Sequence, residues 1–440
     1  MKKFSLNIFN FKALVIAIAA TSLVGCGDSE TTITELPPTP VAVDDDHDHD
    51  QHDDEELGKG RLAIASADQA VVHIFDLEDN SLVESLTITN PASALYASPE
   101  NRYAVAVQRS FDTVEFIDGG VWQELHGDHY DQHLDTPELI SFTLNDVKPT
   151  HYVPRGDKAA IFFDGDKDTG VNASLGLISD ESVDAEKLIA EHHFDTYMHG
   201  TAEIRGEYVL TTLRASASQS SLPDQVALLE VHGDHFHQEQ VFETTCPALH
   251  GSFQTETHIA FACSDGVLSI AQEGSTFTEQ KIAYPVDMPA GVSIGSLKGS
   301  AENNVMIGGS SAGLFLVDLA NQEISSFNWQ ANETSTLVTY GFDGHNEHGL
   351  ILDSEGQLNV FLAEDNWALD KRIPVFDTLA DDSKPLIIAS KAHEVIYIIN
   401  DKEVTTIDLH EGEVVGHFDL DFMPGKAAWL GVAGEEEHEH

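Results

Sequence analysis

The sequence predicts an all-β chain closed into a single β-propeller. Three observations carry this. No stretch from Gly60 onward keeps a helical hydrophobic period. Short β-rich runs follow one another instead, such as RLAIAS (61–66), YAVAVQ (103–108), KAAIFF (158–163), YVLTTL (208–213), HIAFAC (258–263) and NVMIGG (304–309), separated by Gly, Asp, Asn and Pro. A unit also repeats. VVHIFDLEDNSLVESLTI (71–88), GLFLVDLANQEISSFNW (313–329) and EVTTIDLHEGEVVGHFDL (403–420) each read as a strand ending in Asp-Leu, a polar turn and a second strand. Asp76, Asp318 and Asp408 hold equivalent places.

New units begin near Leu95, His151, His199, His250, Val292, Leu337 and Leu386. An eighth begins near Ala427, in KAAWLGV, and is completed by the N-terminal strands from Arg61. Units of about 40–55 residues with four strands each are propeller blades. The expected count is eight, with seven as the alternative. Pairing the last strand with the first closes the ring and removes open sheet edges. A propeller hosts many unrelated functions, so the function has to come from sites.

Ahead of the propeller, residues 1–25 open with Met-Lys-Lys, continue with the apolar run LVIAIAA (14–20) and end at LVGC. This reads as a signal peptide of the lipoprotein type, with Cys26 as the lipid-bearing residue. The apolar run is too short for a permanent membrane span. The expected location is therefore the periplasm, with the lipid as the contact with the membrane. Residues 26–59 read as a tether: TTITELPPTPVAV (31–43) is Pro-bearing, and DDDHDHDQHDDEE (44–56) is too acidic to bury itself. The propeller is expected over 60–434, and EEEHEH (435–440) is a second acidic, histidine-bearing tail.

The chain carries 22 Lys+Arg against 75 Asp+Glu, a formal net charge of -53. Nucleic acid is a poor partner for such a surface, and cations are good ones. Of three cysteines, Cys246 and Cys263 remain once Cys26 carries lipid. Outside the cytoplasm this pair is expected to form a disulfide rather than a zinc-thiolate site.

The 23 histidines cluster. HGDHYDQH offers His126, Asp128, His129 and His133; HGDHFH offers His232, Asp234, His235 and His237. Each loop falls between the third and fourth strand of its unit, and its Gly permits a bend that brings imidazoles and a carboxylate around one point. His151, His199 and His250 recur one per blade, in PTHYVP, YMHGTA and ALHGSF, where each unit turns into its innermost strand. Such positions ring the channel mouth, where three imidazoles either converge on a cation or cap strand ends. The connections put this trio on one face and the HGDH hairpins on the other. His47, His49 and His52 add ligands without fixed geometry. FDGDKDTG (163–170) reads as a turn rather than a calcium loop, GHNEHG (344–349) as a surface loop, and His192 and His193 as strand-end residues. No GxSxG, HExxH or phosphate loop is present, so no enzyme is expected.

The exported propeller, the His/Asp run, the paired HGDH loops, FFDGD and the CPALHG…C pair together resemble the AztD family of periplasmic zinc metallochaperones. The resemblance implies zinc as cargo and direct delivery to the solute-binding protein of a zinc ABC importer. It implies a tight site involving His126, Asp128 and His129 with help from elsewhere in the propeller. It also implies a weaker, flexible site at His47, His49 and His52. A lipid-bearing Cys26 departs from a soluble carrier. Composition leaves copper and nickel open as rival metals. Two other functions stay open: a metal-dependent hydrolase or lactonase, and an envelope interaction module without metal cargo. The chain is expected to act as a monomer.

Overall fold

The computed structural model of the chain describes residues 58–434, apart from 128 and 381. The readings made for residues 1–25, Cys26, the tether with His47, His49 and His52, Asp128 and the tail 435–440 lie outside the described residues.

Among the described residues the strands form six four-stranded sheets, one eight-stranded sheet and a two-stranded hairpin. The eight-stranded sheet is two four-stranded meanders joined where Glu191 pairs in parallel with His235. Each meander is antiparallel, and the first strands of most neighbouring meanders touch. The ring is a β-propeller with these first strands innermost. They are Ala94–Ala97, Pro149–Arg155, Ala202–Arg205, Ser252–Gln254, Ile294–Lys298, Leu337–Phe342, Leu386–Ala389 and Pro424–Leu430. Each lies within three residues of a unit start read from the sequence.

The repeat has a physical cause. Asp76, Asp318 and Asp408 each end the third strand of a blade. Each turns its carboxylate onto the turn that follows, accepting a backbone N–H from Glu78 (2.9 Å), Asn321 (2.8 Å) and Glu411 (2.8 Å). Four residues after each Asp the backbone turns left-handed, at Asn80, Gln322 and Gly412. Such turns tolerate Asn and Gly and bring the fourth strand back against the third.

Blades are apolar on both faces because neighbours cover both. One core cluster joins Tyr103, Val105 and Phe116 of one blade to Tyr152, Ile161 and Phe163 of the next. Another joins Ala63, Val72 and Ile74 to Ala104, Ala106 and Ala428. The ring closes as expected: Arg61–Ser66 pairs antiparallel with Pro424–Leu430, setting Leu62 against Trp429 and Ala63 against Ala428. The buried Trp429 donates its indole N–H to the Lys59 carbonyl at 2.9 Å. The helical content is slight, chiefly the turn Asp180–Asp184 started by a capping box on Ser179.

All inner strands run the same way along the channel. The end where they begin is called the upper mouth and the opposite end the lower mouth.

Candidate metal centre

His151 stands near the start of inner strand Pro149–Arg155, and His199 and His250 just before the next two inner strands. The structure brings all three together at the upper mouth. One ligand atom from each lies within 4.8 Å of the others. His199 Nε2 is 3.3 Å from His151 Nε2 and 3.2 Å from His250 Nε2. Three nitrogens bound to one zinc at about 2.0–2.1 Å stand about 3.3 Å apart in a tetrahedron, and the two spacings from His199 already match.

The outer hydrogen bonds decide which nitrogen is free. His199 Nδ1 lies 2.9 Å from Asp164 Oδ2, and a carboxylate accepts, so the ring proton sits on Nδ1. His250 Nδ1 lies 2.8 Å from the Gly295 carbonyl, which fixes the same tautomer. In the neutral rings both Nε2 atoms then carry lone pairs and face each other at 3.2 Å. Two lone pairs at that distance repel unless a cation or a proton lies between them. Burial first, then the neighbouring His199 and His250, push the His151 pKa down to about 4, so this ring stays neutral and ready to coordinate near neutral pH.

Asp164 is buried and is held in turn: Arg109 Nη2 donates to the same Oδ2 at 2.7 Å. Arg109 also donates to the Lys148 carbonyl at 3.0 Å and to Thr150. Asp164 and Arg109 therefore orient the cluster from behind, as outer carboxylates do in metal sites. The sequence reading took Asp164 for part of a turn. The turn is there, with Asp166 accepting the Asp168 N–H at 2.8 Å, but Asp164 faces the imidazoles. The FFDGD match was the one signal that could have found it. Beyond His199 and His250 the site opens into a cleft of about 730 Å³. His250 is the most exposed of the three rings.

Cys246 and Cys263 are joined by a disulfide and fully buried. The loop between them carries His250. It is tied down by His250 N–H to the Ala262 carbonyl (2.9 Å) and Leu249 N–H to the Pro223 carbonyl (3.0 Å). Gly251 has φ +85°, and a Cβ there would meet the Gly295 carbonyl at 2.7 Å.

The HGDH hairpins lie at the other end. The first leaves its blade at Asp118, which pairs with Tyr103 beside the lower end of Ala94–Ala97. It forms the extra hairpin Val121–His126 and His129–Leu134. Its neck is clamped by Arg61, which donates to the Gly119 and Asp135 carbonyls. His126 Nδ1 is 3.2 Å from Asp131, and His133 stacks on Trp122 at 4.0 Å between ring centres. In the second hairpin His232 contacts Glu230 at 2.8 Å, and Glu230, His232 and Glu239 form a possible ligand group. His235 contacts Asp234 at 3.0 Å and His237 at 3.2 Å, in the open. Among the described residues no hydrogen bond or ring contact joins either hairpin to the upper trio.

Two further groups of potential ligands occur among the described residues: Asp146, Glu191 and His193, and Asp343, Glu347 and His348. His348 is less exposed than its loop motif suggested; it bonds Asp343 at 3.1 Å, which raises its pKa.

No protein-family model matches the chain. Its sequence is 28% identical over 239 residues to the zinc chaperone AztD of Citrobacter koseri, covering 54% of this chain. The match spans about half of that relative's length. Two crystal structures of Citrobacter koseri AztD, one of them the apo form, superpose with a TM-score of 0.69 at 22% identity, over 85% of this chain and 98% of theirs. The dihydro-heme d1 dehydrogenase NirN shares the fold more distantly, with a TM-score of 0.54 at 9% identity over 84% of this chain and 75% of its own. The likeness to AztD read from the motifs thus holds in sequence over half the chain and in fold over most of it, and the chain is similar to the AztD zinc chaperones.

Proposed function

We propose that the chain is a zinc-binding metallochaperone whose tightly held cargo sits on His151, His199 and His250. The observation that carries this is the pair of Nε2 lone pairs aimed at each other across 3.2 Å, with both Nδ1 protons committed elsewhere. Three imidazoles leave one zinc position for an incoming ligand, and the cleft beside His250 gives access to it. That suits a carrier that hands its metal on. The relative named a zinc chaperone supports the same cargo.

In this reading His47, His49 and His52 collect zinc loosely, since ordering that run costs entropy. The exposed HGDH hairpins exchange it near the surface. The recipient is the solute-binding protein of a zinc ABC importer, and the role involves no catalysis. The signal-like start, Cys26 and the disulfide favour a lipid-anchored protein in the periplasm.

Zinc titration against a competing chelator tests the proposal, on the mature chain, on H199A/H250A and on a form lacking 44–56. A tight site that survives the deletion and disappears in H199A/H250A supports it. A tight site untouched by H199A/H250A moves the cargo to the HGDH hairpins. No tight site in any form ends the carrier reading.

A further inference from the structure

GHNEHG (344–349) reads in the sequence as a surface loop, and the fold makes it a fixed turn with ligands on it. The inner strand Leu337–Phe342 ends at the lower end of the channel, Asp343 follows, and His348 opens the next strand. Backbone bonds hold the turn. Asp343 N–H donates to the His348 carbonyl at 3.1 Å, and Ala363 N–H donates to the Glu347 carbonyl at 2.8 Å. Asn346 turns the chain with φ +61°.

Three ligands converge there. Asp343 is buried, and its Oδ1 accepts the His348 N–H at 2.8 Å. Its Oδ2 lies 3.1 Å from His348 Nδ1. Two ligand atoms held by one ion at about 2.0–2.2 Å stand about that far apart. At His199 the carboxylate contact stands alone behind the ring. Here Glu347 brings a third ligand atom within 4.8 Å of both others. Of the four such groups among the described residues, this is the one with a buried member.

Glu347 and His348 also line one cleft of about 510 Å³, together with Glu302, Asn303 and Glu364. Glu302 and Asn303 follow the neighbouring inner strand Ile294–Lys298, so the cleft lies between two blades. Asn303 Nδ2 crosses it to the Ala363 carbonyl. Among the described residues that line it are three glutamates and no lysine or arginine. The ring feels this field. The Asp343 hydrogen bond first, then the charges of Asp343, Glu394 and Glu347, raise the His348 pKa although burial opposes them. A divalent cation at the same point gains from each charge twice what a proton does.

We propose that Asp343, Glu347 and His348 bind one divalent transition-metal cation, in a site separate from the upper trio. On binding, Nδ1 gives its proton to solvent and its lone pair to the ion. Two carboxylates with one imidazole suit manganese as well as zinc, whereas three imidazoles favour zinc. Manganese is therefore the probe that tells the two sites apart.

The test uses the full chain carrying H199A/H250A, titrated with Mn2+ in excess Mg2+, which fills loose carboxylate sites. Electron paramagnetic resonance of the free ion reads the binding. One Mn2+ per chain is expected, weakened roughly tenfold or more by E347Q and lost in H348Q. Glu347 is exposed, so its substitution reports on the ligand and not on the fold. E347Q alone is expected to keep the parent's tight zinc affinity, so failure here and failure of the metal centre are read separately. No Mn2+ held against Mg2+, or binding unchanged in E347Q and H348Q, overturns the proposal.

Discussion

His199 and His250 meet through their Nε2 atoms at 3.2 Å while Asp164 and the Gly295 carbonyl hold their Nδ1 protons. Neither ring can relieve the contact by changing tautomer without giving up its outer bond. With both rings neutral, the metal-free cluster carries a repulsion that a bound cation or a shared proton removes.

The outer bond of His199 is accordingly worth affinity. Asp164→Ala is expected to weaken zinc binding by roughly 10- to 100-fold, the usual range for an outer carboxylate. His199→Ala should cost more. Competition titration of both variants checks the order, and cobalt spectra show whether Asp164→Ala distorts the ligand field. Equal losses in the two would make Asp164 a ligand.

Acid should destabilise the metal-free protein through His151. Its folded pKa, about 4, lies below its ordinary value near 6.5. The unfolded chain binds the proton more readily between these values, so stability rises with pH across that window. The contribution is complete above pH ~6.5, falls away towards pH ~4 and amounts to at most about 3 kcal/mol. Urea midpoints of the metal-free parent and of His151→Gln, compared from pH 4 to 7, should converge at the acid end.

The disulfide should matter to the site as well as to the fold. Cys246→Ala with Cys263→Ala removes a loop constraint of about 3 kcal/mol. It also frees the segment that carries His250. A lower melting temperature together with weaker zinc binding is expected. A lower melting temperature with unchanged zinc affinity would mean that the backbone bonds of Leu249 and His250 suffice.

Ring closure rests heavily on one side chain. Trp429→Ala opens a cavity at the seam and removes the indole bond to Lys59, at an expected cost of about 3–5 kcal/mol. Guanidinium unfolding of the variant measures it.

The hairpin histidines should form a separate, weaker metal event. His235→Ala with His237→Ala is expected to remove weak zinc binding and leave the tight site intact. Calorimetric titration with and without the substitutions separates the two.

The blades were legible because each inner strand begins after a recurrent turn and the Asp-Leu signature marks the third strand. The histidine trio was legible for the same reason: His151, His199 and His250 hold one position in successive repeats. Asp164 and Arg109 were hidden because their role depends on a loop folding back towards the next blade's histidine, a contact that no spacing encodes.

The seam has a mechanical consequence. Arg61–Ser66 is paired on both flanks, with Val71–Asp76 and with Pro424–Leu430. A pull on the chain ahead of Gly58 acts along this strand and loads its hydrogen bonds in shear, all at once. Unzipping from a free edge would break them one by one under far less force. Whatever tugs at the amino-terminal side thus meets the ring at a strand held on both flanks, and the histidine mouth lies at the other end of the channel from that strand's first residue.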